Sequence, residues 1–380
     1  MQRDINSAID LQKLNFMIDQ AEKKIIPIRN KITCFLGLTG AGKSTLMCFL
    51  LKLKPIVEID DYGQIYIDFI QEEDHKIEIG HSSASCTELP NFRIINGEYY
   101  WDCPGLFDNK SIAQEILNLY CIKKIFESPS CFKIVIVVEY QNASVARGRD
   151  LANTLRQIVE MFPDQNNLFN CLSIIVTKCD KRNMTSEKFV RILDNLSREN
   201  NEFESAIPLL QMLSRAPQKI VIFMTPENAE DLNEELRNKI HACICTASFT
   251  KMPILNSLSD RAKLVIDNLL TLYENDIKSE MTKFSKKIFI KFRSETDMNA
   301  LHQGKAALDD FLSIDPQRFT IQEFESGIIN LSNYFTGSEA LSDGFRSLTN
   351  KINFYNSYRS ARSPPINLLS WINPIRYVLE

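Results

Sequence analysis

Apolar and polar positions follow two different patterns along this chain. Apolar side chains in the first 24 residues recur about one helical turn apart, at Ile5, Ile9, Leu14 and Ile18. This spacing predicts a leading helix that ends before Pro27. Farther along, short apolar runs bounded by turn residues lie at 31–36, 92–95, 98–101, 132–139, 171–177 and 219–224. Helix-like segments separate most of these runs, which predicts an α/β fold with a mostly parallel sheet and helices on both faces.

One pair of runs is joined by Asn96-Gly97, a strong hairpin signal, so these two strands are expected to pair antiparallel. After about residue 245 the strand pattern stops. Steps of three or four residues then mark a long amphipathic helix, through Leu258, Ala262, Val265, Leu269, Tyr273, Ile277, Met281, Phe284 and Ile288. Thr320 and Glu323 predict a capping box that opens another helix, and a third follows around residues 341–352. We therefore predict an N-terminal helix (1–28), an α/β domain (29–245) and an all-helical domain (246–380).

Composition narrows the function classes. The net charge of -4 and the pI near 5.8 lack the basic footprint of a nucleic-acid-binding domain, so no nucleic-acid partner is expected. The ten cysteines lie singly in apolar runs or motifs, which indicates reduced thiols and a cytoplasmic location. No signal peptide and no apolar run of about 18 residues is found, so no transmembrane segment is expected.

The most informative stretch is FLGLTGAGKST, residues 35 to 45. It fits G-x-x-x-x-G-K-[ST] between an apolar strand and a helix, the context of a phosphate-binding loop (P-loop). Lys43 is expected to reach the β- and γ-phosphates and to act in catalysis, and Ser44 to ligate Mg²⁺. The predicted nucleotide-binding residues of the loop are Thr39, Gly40, Ala41, Gly42, Lys43, Ser44 and Thr45.

The base is predicted from IIVTKCD, residues 174 to 180. Thr177, Lys178 and Asp180 match the [NT]-K-x-D pattern at a strand end, where Asp180 accepts from the N1–H and 2-amino groups of guanine and the Lys178 stem covers the ring. Adenine lacks both donors and would leave the carboxylate unpaired. The predicted ligand is therefore GTP or GDP.

Two further segments complete the predicted site. In YYWDCPGLFD, residues 99 to 108, Asp102 is expected to hold a magnesium-bound water. Gly105 is expected to offer its N–H to the γ-phosphate and so to act in catalysis. The polar loop at 80–91 resembles a switch loop, with Thr87 as the predicted metal-ligating and catalytic threonine and Ser83 or Ser85 as alternatives. TPEN, 225–228, follows the last apolar run, so Pro226 is predicted to lie near the base.

With these motifs in this order, the chain resembles the translation-factor-related class of P-loop GTPases. The DxPGLFD segment and ASVARGRD…LRQIVEMFP, 143–163, are similar to the septin, immunity-associated (GIMAP) and chloroplast-import-receptor (Toc) group. That resemblance covers about residues 30–230 and implies a G domain controlled by pairing of two copies across the nucleotide face. Leu106 stands where Ras-like switches place a water-orienting glutamine, so slow intrinsic hydrolysis is expected.

A group that accelerates hydrolysis is not identified by the sequence alone. Arg147, Arg149 and His81 are candidates, and an arginine supplied by a partner is another source. A GTP-dependent scaffold without significant turnover is the alternative function, and an ATP-using P-loop enzyme is a third.

The helical third suggests further partners. Basic residues crowd one end of the long helix, at Lys278, Lys283, Lys286, Lys287, Lys291 and Arg293. The favoured interpretation is a solvated helix face, with peripheral membrane contact as the alternative. The helices are expected to report the nucleotide state to an effector protein or to another copy of the chain.

Overall fold

A computed structural model describes the chain over most of its length. The described residues are 11–59, 61, 63, 65–71, 77, 89–106, 111–144, 148–180, 184–199, 201–255, 260–294, 296–313, 326–327 and 352. Ile5, Ile9, the predicted switch residue Thr87 and most of the two last predicted helices lie outside these ranges.

The chain divides into two compact units. One comprises Gln20–Ser259, and the other comprises Met1–Asp19 with Asp260–Glu380. The division after Asp19 falls inside the first described helix. The domain boundaries predicted at residues 28 and 245 stay predictions.

Eight strands are described in Gln20–Ser259. They are β1 (Ile32–Leu36), β2 (Pro55–Ile59), β3 (Ile65–Phe69), β4 (Asn91–Ile95), β5 (Glu98–Asp102), β6 (Phe132–Glu139), β7 (Leu172–Cys179) and β8 (Ile220–Met224). Six of them form one sheet in the order β4-β5-β1-β6-β7-β8, and β2 pairs with β3 alone. Every pairing in the larger sheet is parallel except β4 with β5.

Helices connect these strands and continue beyond them. In chain order they are α1 (Leu11–Lys24), α2 (Lys43–Leu50), α3 (Ile112–Glu127), α4 (Tyr140–Ser144), α5 (Arg149–Met161), α6 (Gln165–Cys171), α7 (Ser186–Glu199), α8 (Ile207–Leu213), α9 (Glu234–Cys245), α10 (Asp260–Ser294) and α11 (Met298–Ser313). The predicted fold class is confirmed: a mixed α/β fold with a mostly parallel six-stranded sheet, followed by helices. This arrangement is compatible with a P-loop G domain.

The sequence pattern explains the central strands. All five residues of β1 are buried, and so are the first seven of β6. Strands covered on both faces are expected to be apolar throughout rather than alternating. Asn96 and Gly97 both have positive φ, 51° and 81°, as the tight turn of the predicted hairpin requires. The expected antiparallel pair is therefore confirmed.

Two strands and one helix were not predicted. β2 and β3 are half exposed, and acidic residues such as Glu58 and Asp68 interrupt their apolar runs. α11 follows the predicted long helix, which itself extends to Ser294 as α10. No helix in the described part of the chain has the length and apolar character needed to cross a membrane.

Candidate functional site

The predicted motifs meet at one edge of the larger sheet. β1, β5, β6, β7 and β8 all run in the same direction, so their carboxyl ends share an edge, where open α/β sheets bind ligands. We call residues 37–45 with 102–106 the phosphate half of the site. We call residues 177–180 with 225–228 the base half.

Lys43 is folded back over its own loop. It is the first residue of α2, and its Nζ donates to the carbonyl oxygens of Gly37 at 3.1 Å and Leu38 at 2.9 Å. Only 6% of the surface of Lys43 is exposed. The loop therefore holds a buried cation at the place where the motif predicts a phosphate contact.

The other predicted P-loop residues lie in the same turn or in the first turn of α2. Thr39, Gly40, Ala41 and Gly42 form the turn between β1 and α2, and Ser44 and Thr45 lie in the first turn of α2. The helix amino terminus adds a positive partial charge to the same place.

Ser44 and Asp102 are in direct contact. Ser44 Oγ donates to Asp102 Oδ2 at 2.6 Å, and Asp102 is almost completely buried at the end of β5. Burial raises the pKa of Asp102, while Lys43, the bond from Ser44 and Arg93 partly offset that rise. The second carboxylate oxygen, Oδ1, accepts no hydrogen bond from the residues the structure describes.

These groups fit a magnesium ion. A hydroxyl and a carboxylate lie side by side, and one buried carboxylate oxygen has no protein donor among the described residues; hard cations prefer such oxygen ligands. The described ranges contain no cluster of three or more His, Cys, Asp or Glu that could hold a metal. An ion held here by Ser44 and Asp102 would take its remaining ligands from phosphate oxygens and water, as Mg²⁺ commonly does.

Gly105 lies tightly against the P-loop. A Cβ atom built on Gly105 would be 2.1 Å from Thr39 Oγ1 and 2.7 Å from Thr39 N, so no larger residue fits without moving one of the two segments. The next residue, Leu106, donates its N–H to Gly37 O at 3.0 Å and is 2% exposed. The segment after Asp102 is therefore fixed on the P-loop by its backbone.

Thr177 joins the two halves of the site. Its Oγ1 lies 2.7 Å from the carbonyl oxygen of Ala41 and 3.3 Å from that of Val138. The hydroxyl is buried. The carboxyl end of β7 is thereby connected to the P-loop.

Lys178 has an unusual backbone conformation. Its φ is +49°, and the register between β7 and β8 shifts between Val176 and Cys179. Such bulges re-aim side chains at strand ends. The Lys178 side chain is 53% exposed, with Nζ 3.5 Å from Glu139 Oε2.

Asp180 and Pro226 lie on the connected segments that follow β7 and β8. Asp180 is exposed directly after β7, and Thr225 N donates to Cys179 O at 2.9 Å. Pro226 is buried. The turn that follows is shaped by Asp231, whose carboxylate accepts from the N–H groups of Glu227 and Asn228. The structure thus brings the TPEN segment against the TKCD segment.

Thr87, its alternatives Ser83 and Ser85, His81 and Arg147 lie outside the described residues. Arg149 is the first residue of α5 and is exposed.

Sequence reasoning missed two neighbours of the site, Asn118 and Glu139. Asn118 Nδ2 donates to Gly105 O at 3.1 Å. The sequence signal was an asparagine inside an otherwise apolar run, ILNLYCI, on a buried helix. Glu139 is the last residue of β6, next to β7, and its Oε2 lies 3.5 Å from Lys178 Nζ.

Comparisons with known proteins give little further information. No family model matches the chain, and no curated protein matches it. Among solved structures, one similarity is to an oligomerised bacterial dynamin pair that provides a mechanism for the long-range sensing and tethering of membranes. The identity is 11%, the TM-score is 0.27, and the match covers 99% of this chain and 77% of that chain. A similarity this low carries no argument about the present protein.

Proposed function

We propose that this chain binds guanine nucleotide with Mg²⁺ and hydrolyses GTP slowly. One observation carries the proposal: the Thr177 hydroxyl bonds to the P-loop carbonyl of Ala41 at 2.7 Å. The bond joins the segment that matches [NT]-K-x-D to the segment that matches the P-loop pattern, and both follow parallel strands of the same sheet. A single nucleotide that spans both halves explains why both motifs are present there.

The phosphate half supplies the charge that a triphosphate needs. Lys43 is already buried and exchanges its carbonyl partners for phosphate oxygens when a nucleotide binds, and the amino terminus of α2 stabilises the same anion. Ser44 would bind Mg²⁺ through its hydroxyl, and Asp102 would hold the ion through a water molecule. The ion would neutralise charge that develops on the phosphates during transfer. Thr87, which lies outside the described residues, is proposed as a further ligand.

The base half determines which nucleotide is bound. Asp180 accepts from the two donors on the guanine edge, Lys178 covers the ring with its aliphatic stem, and Pro226 lies beside them. The penalty for a nucleotide that lacks the matching donors can reach about 10⁴-fold in sites of this type. The preference for GTP over ATP therefore rests on one exposed carboxylate.

Slow hydrolysis follows from Leu106. This side chain has no polar atom and is 2% exposed, so it cannot orient an attacking water. Gly105 N–H and Lys43 stabilise charge on the γ-phosphate, and faster turnover requires a group from elsewhere. In keeping with the resemblance to the septin, GIMAP and Toc group, we propose that a second copy of the chain supplies it across the nucleotide face.

The same leucine favours a second candidate function, a GTP-dependent assembly or scaffold protein without significant turnover. Single-turnover hydrolysis at several protein concentrations separates the two. A rate that rises with protein concentration supports catalysis by pairing. Phosphate release that is absent at every concentration supports the scaffold.

Nucleotide identity is tested by competition. The full chain with Mg²⁺ is loaded with a fluorescent GDP analogue, and unlabelled GTP, GDP, ATP or XTP is added as competitor. We expect displacement by GTP and GDP and none by ATP or XTP at the same concentrations. Displacement by ATP as effective as that by GTP would contradict the proposed function and support the ATP-using alternative.

A further inference from the structure

Helix α3 carries two buried amide side chains on an otherwise apolar side. It begins at Ile112, capped by Ser111, whose Oγ accepts from Gln114 N at 3.1 Å. Gln114 and Asn118 are one helical turn apart and only 7% and 3% exposed. An amide buried among apolar groups is costly unless it is hydrogen-bonded, so the bonds these two side chains make are informative.

The two amides form a chain of hydrogen bonds that ends on the phosphate half. Gln114 Nε2 donates to Asn118 Oδ1 at 2.8 Å, and Asn118 Nδ2 donates to Gly105 O at 3.1 Å. The first bond fixes which way the Asn118 amide faces, because its oxygen is occupied and its nitrogen must point at Gly105. We call this chain the amide relay.

The relay and the P-loop hold the same peptide group from its two ends. Asn118 binds the carbonyl of the Gly105–Leu106 peptide, and the N–H of that peptide donates to Gly37 O at 3.0 Å. A peptide group is planar, so bonds at its carbonyl and at its N–H together fix its orientation. Gly105 has no side chain that could do this by packing, and it lies in contact with Thr39.

We propose that Asn118 is a positioning residue. By fixing the Gly105–Leu106 peptide it holds the Cα atom of Gly105 in place, and the N–H of Gly105, in the preceding peptide, is thereby presented to the third phosphate of GTP. The inference rests on the proposed function. GTP and GDP differ in the γ-phosphate alone, and Gly105 is the proposed contact to it. Asn118 therefore sets the preference for GTP over GDP, while Gln114 orients Asn118. A purely structural amide pair would affect both nucleotides equally.

The main test replaces the donor by an acceptor. Asn118→Asp keeps the size of the side chain and an oxygen for Gln114, but faces the Gly105 carbonyl with a carboxylate oxygen. Affinities for GDP and for a non-hydrolysable GTP analogue are measured with Mg²⁺ on the full chain, together with thermal unfolding. We expect the GTP analogue to bind about tenfold more weakly and GDP to stay within about twofold, the scale of one lost hydrogen bond.

Two further variants keep the test decisive if the buried aspartate prevents folding. Asn118→Leu removes the donor without adding charge. It is expected to shift the ratio of GTP-analogue affinity to GDP affinity in the same direction. Gln114→Leu removes the bond that orients Asn118 and leaves the Asn118 donor in place, so the ratio of GTP-analogue to GDP affinity is expected to shift less. Ser111→Ala is the matched control, since it weakens the cap of the same helix and leaves both amides in place; its ratio should equal that of the wild type.

The outcomes separate the relay from the proposed function. If the wild type binds GTP and GDP, but the folded Asn118 variants lose both equally or neither, the relay is wrong and the proposed function stands. The same holds if Ser111→Ala shifts the ratio as much as Asn118→Asp does. If the wild type binds neither nucleotide, the proposed function fails and the relay with it.

Discussion

The two halves of the candidate site differ in where their functional groups lie. In the phosphate half, Lys43, Asp102 and Leu106 are 6%, 1% and 2% exposed. Hydrogen bonds join Lys43 and Leu106 to the loop backbone and Asp102 to Ser44. In the base half, the Lys178 side chain is 53% exposed and Asp180 is exposed as well. The groups of the phosphate half are thus buried without a ligand, whereas those of the base half would be covered only by a bound base.

Under the proposed function, this difference gives the two halves separate tasks. Phosphates are common to all nucleotides, so buried and fixed groups there provide affinity without identity; their ordering cost is met during folding rather than during binding. The exposed carboxylate provides identity, because its hydrogen bonds become strong only when the base excludes water. Substitutions in the two halves should therefore have different consequences, and the four that follow are ordered by expected size.

The largest effect is expected from Asp180→Asn. The amide nitrogen donates where guanine also donates, while xanthine offers a carbonyl oxygen there instead. We expect the ratio of GTP to XTP affinity to fall by about 10⁴-fold, the range seen when a site loses its matching partner. This ratio is measured by the displacement of fluorescent GDP and of fluorescent XDP with unlabelled GTP and XTP.

Asp194→Asn is the control for this substitution. Asp194 lies on α7 and pairs with Arg198 on the surface, so its loss should leave nucleotide preference unchanged. An Asp180→Asn variant that still prefers GTP as strongly as the wild type would show that another group reads the base.

Lys43→Ala tests the phosphate half. The buried ammonium is lost, and the phosphates are left without their nearest cation. We expect the affinities for GTP and GDP both to fall by about 100-fold, as for removal of one partner of a buried charge pair. Isothermal titration with each nucleotide measures this loss.

The preference for guanine over adenine nucleotides is the second quantity to measure for Lys43→Ala. The residual binding should keep the preference of the wild type for guanine over adenine. Lys239→Ala, which removes an exposed partner of Glu235, should change neither quantity. A Lys43→Ala variant that lost preference along with affinity would contradict the division of tasks.

The fold was largely predictable because burial and sequence pattern agree in its centre. β6 reads FKIVIVVE and is buried at its first seven positions, so the apolar run and the strand coincide. β2 and β3 were missed because their side chains are half exposed and their stability depends on pairing with each other and on Phe69, which packs into the core with α2. Tertiary contacts of that kind leave no periodic pattern in the chain.

The candidate site was predictable where a motif fixes the backbone, and not where tertiary contacts select a side chain. The P-loop spacing located Lys43 and Ser44 because the turn geometry depends on that spacing alone. Asn118 is a polar residue inside the apolar run ILNLYCI, which indicates burial, but its role depends on its contact with Gly105, 13 residues away in the chain. The bulge at Lys178 is likewise visible only in the pairing of β7 with β8.

Thr177→Val tests the connection between the halves. Valine keeps the shape of the side chain but cannot donate to Ala41 O, so a buried carbonyl loses a partner at a cost of about 1–3 kcal/mol. Because this bond serves both halves, we expect GTP and GDP affinities to fall together by about tenfold, with preference over ATP retained. Thr177→Ser keeps the hydroxyl and should bind both nucleotides like the wild type. Equal behaviour of the valine and serine variants would mean that the bond has no role in binding.

The smallest effect is expected from Glu139→Gln, which removes the partner of Lys178 in the base half. The two groups are 3.5 Å apart and the lysine side chain is 53% exposed, and ion pairs of this kind contribute about 1 kcal/mol or less. Glutamine keeps an oxygen for the lysine, so we expect the affinity for GTP to change by less than about threefold and the preference for guanine to be unaffected. Titration at low and at high salt measures it, and the small difference should vanish at high salt. A loss of 100-fold would mean that Glu139 holds Lys178 in place before the base arrives, and the base half would then be as preassembled as the phosphate half.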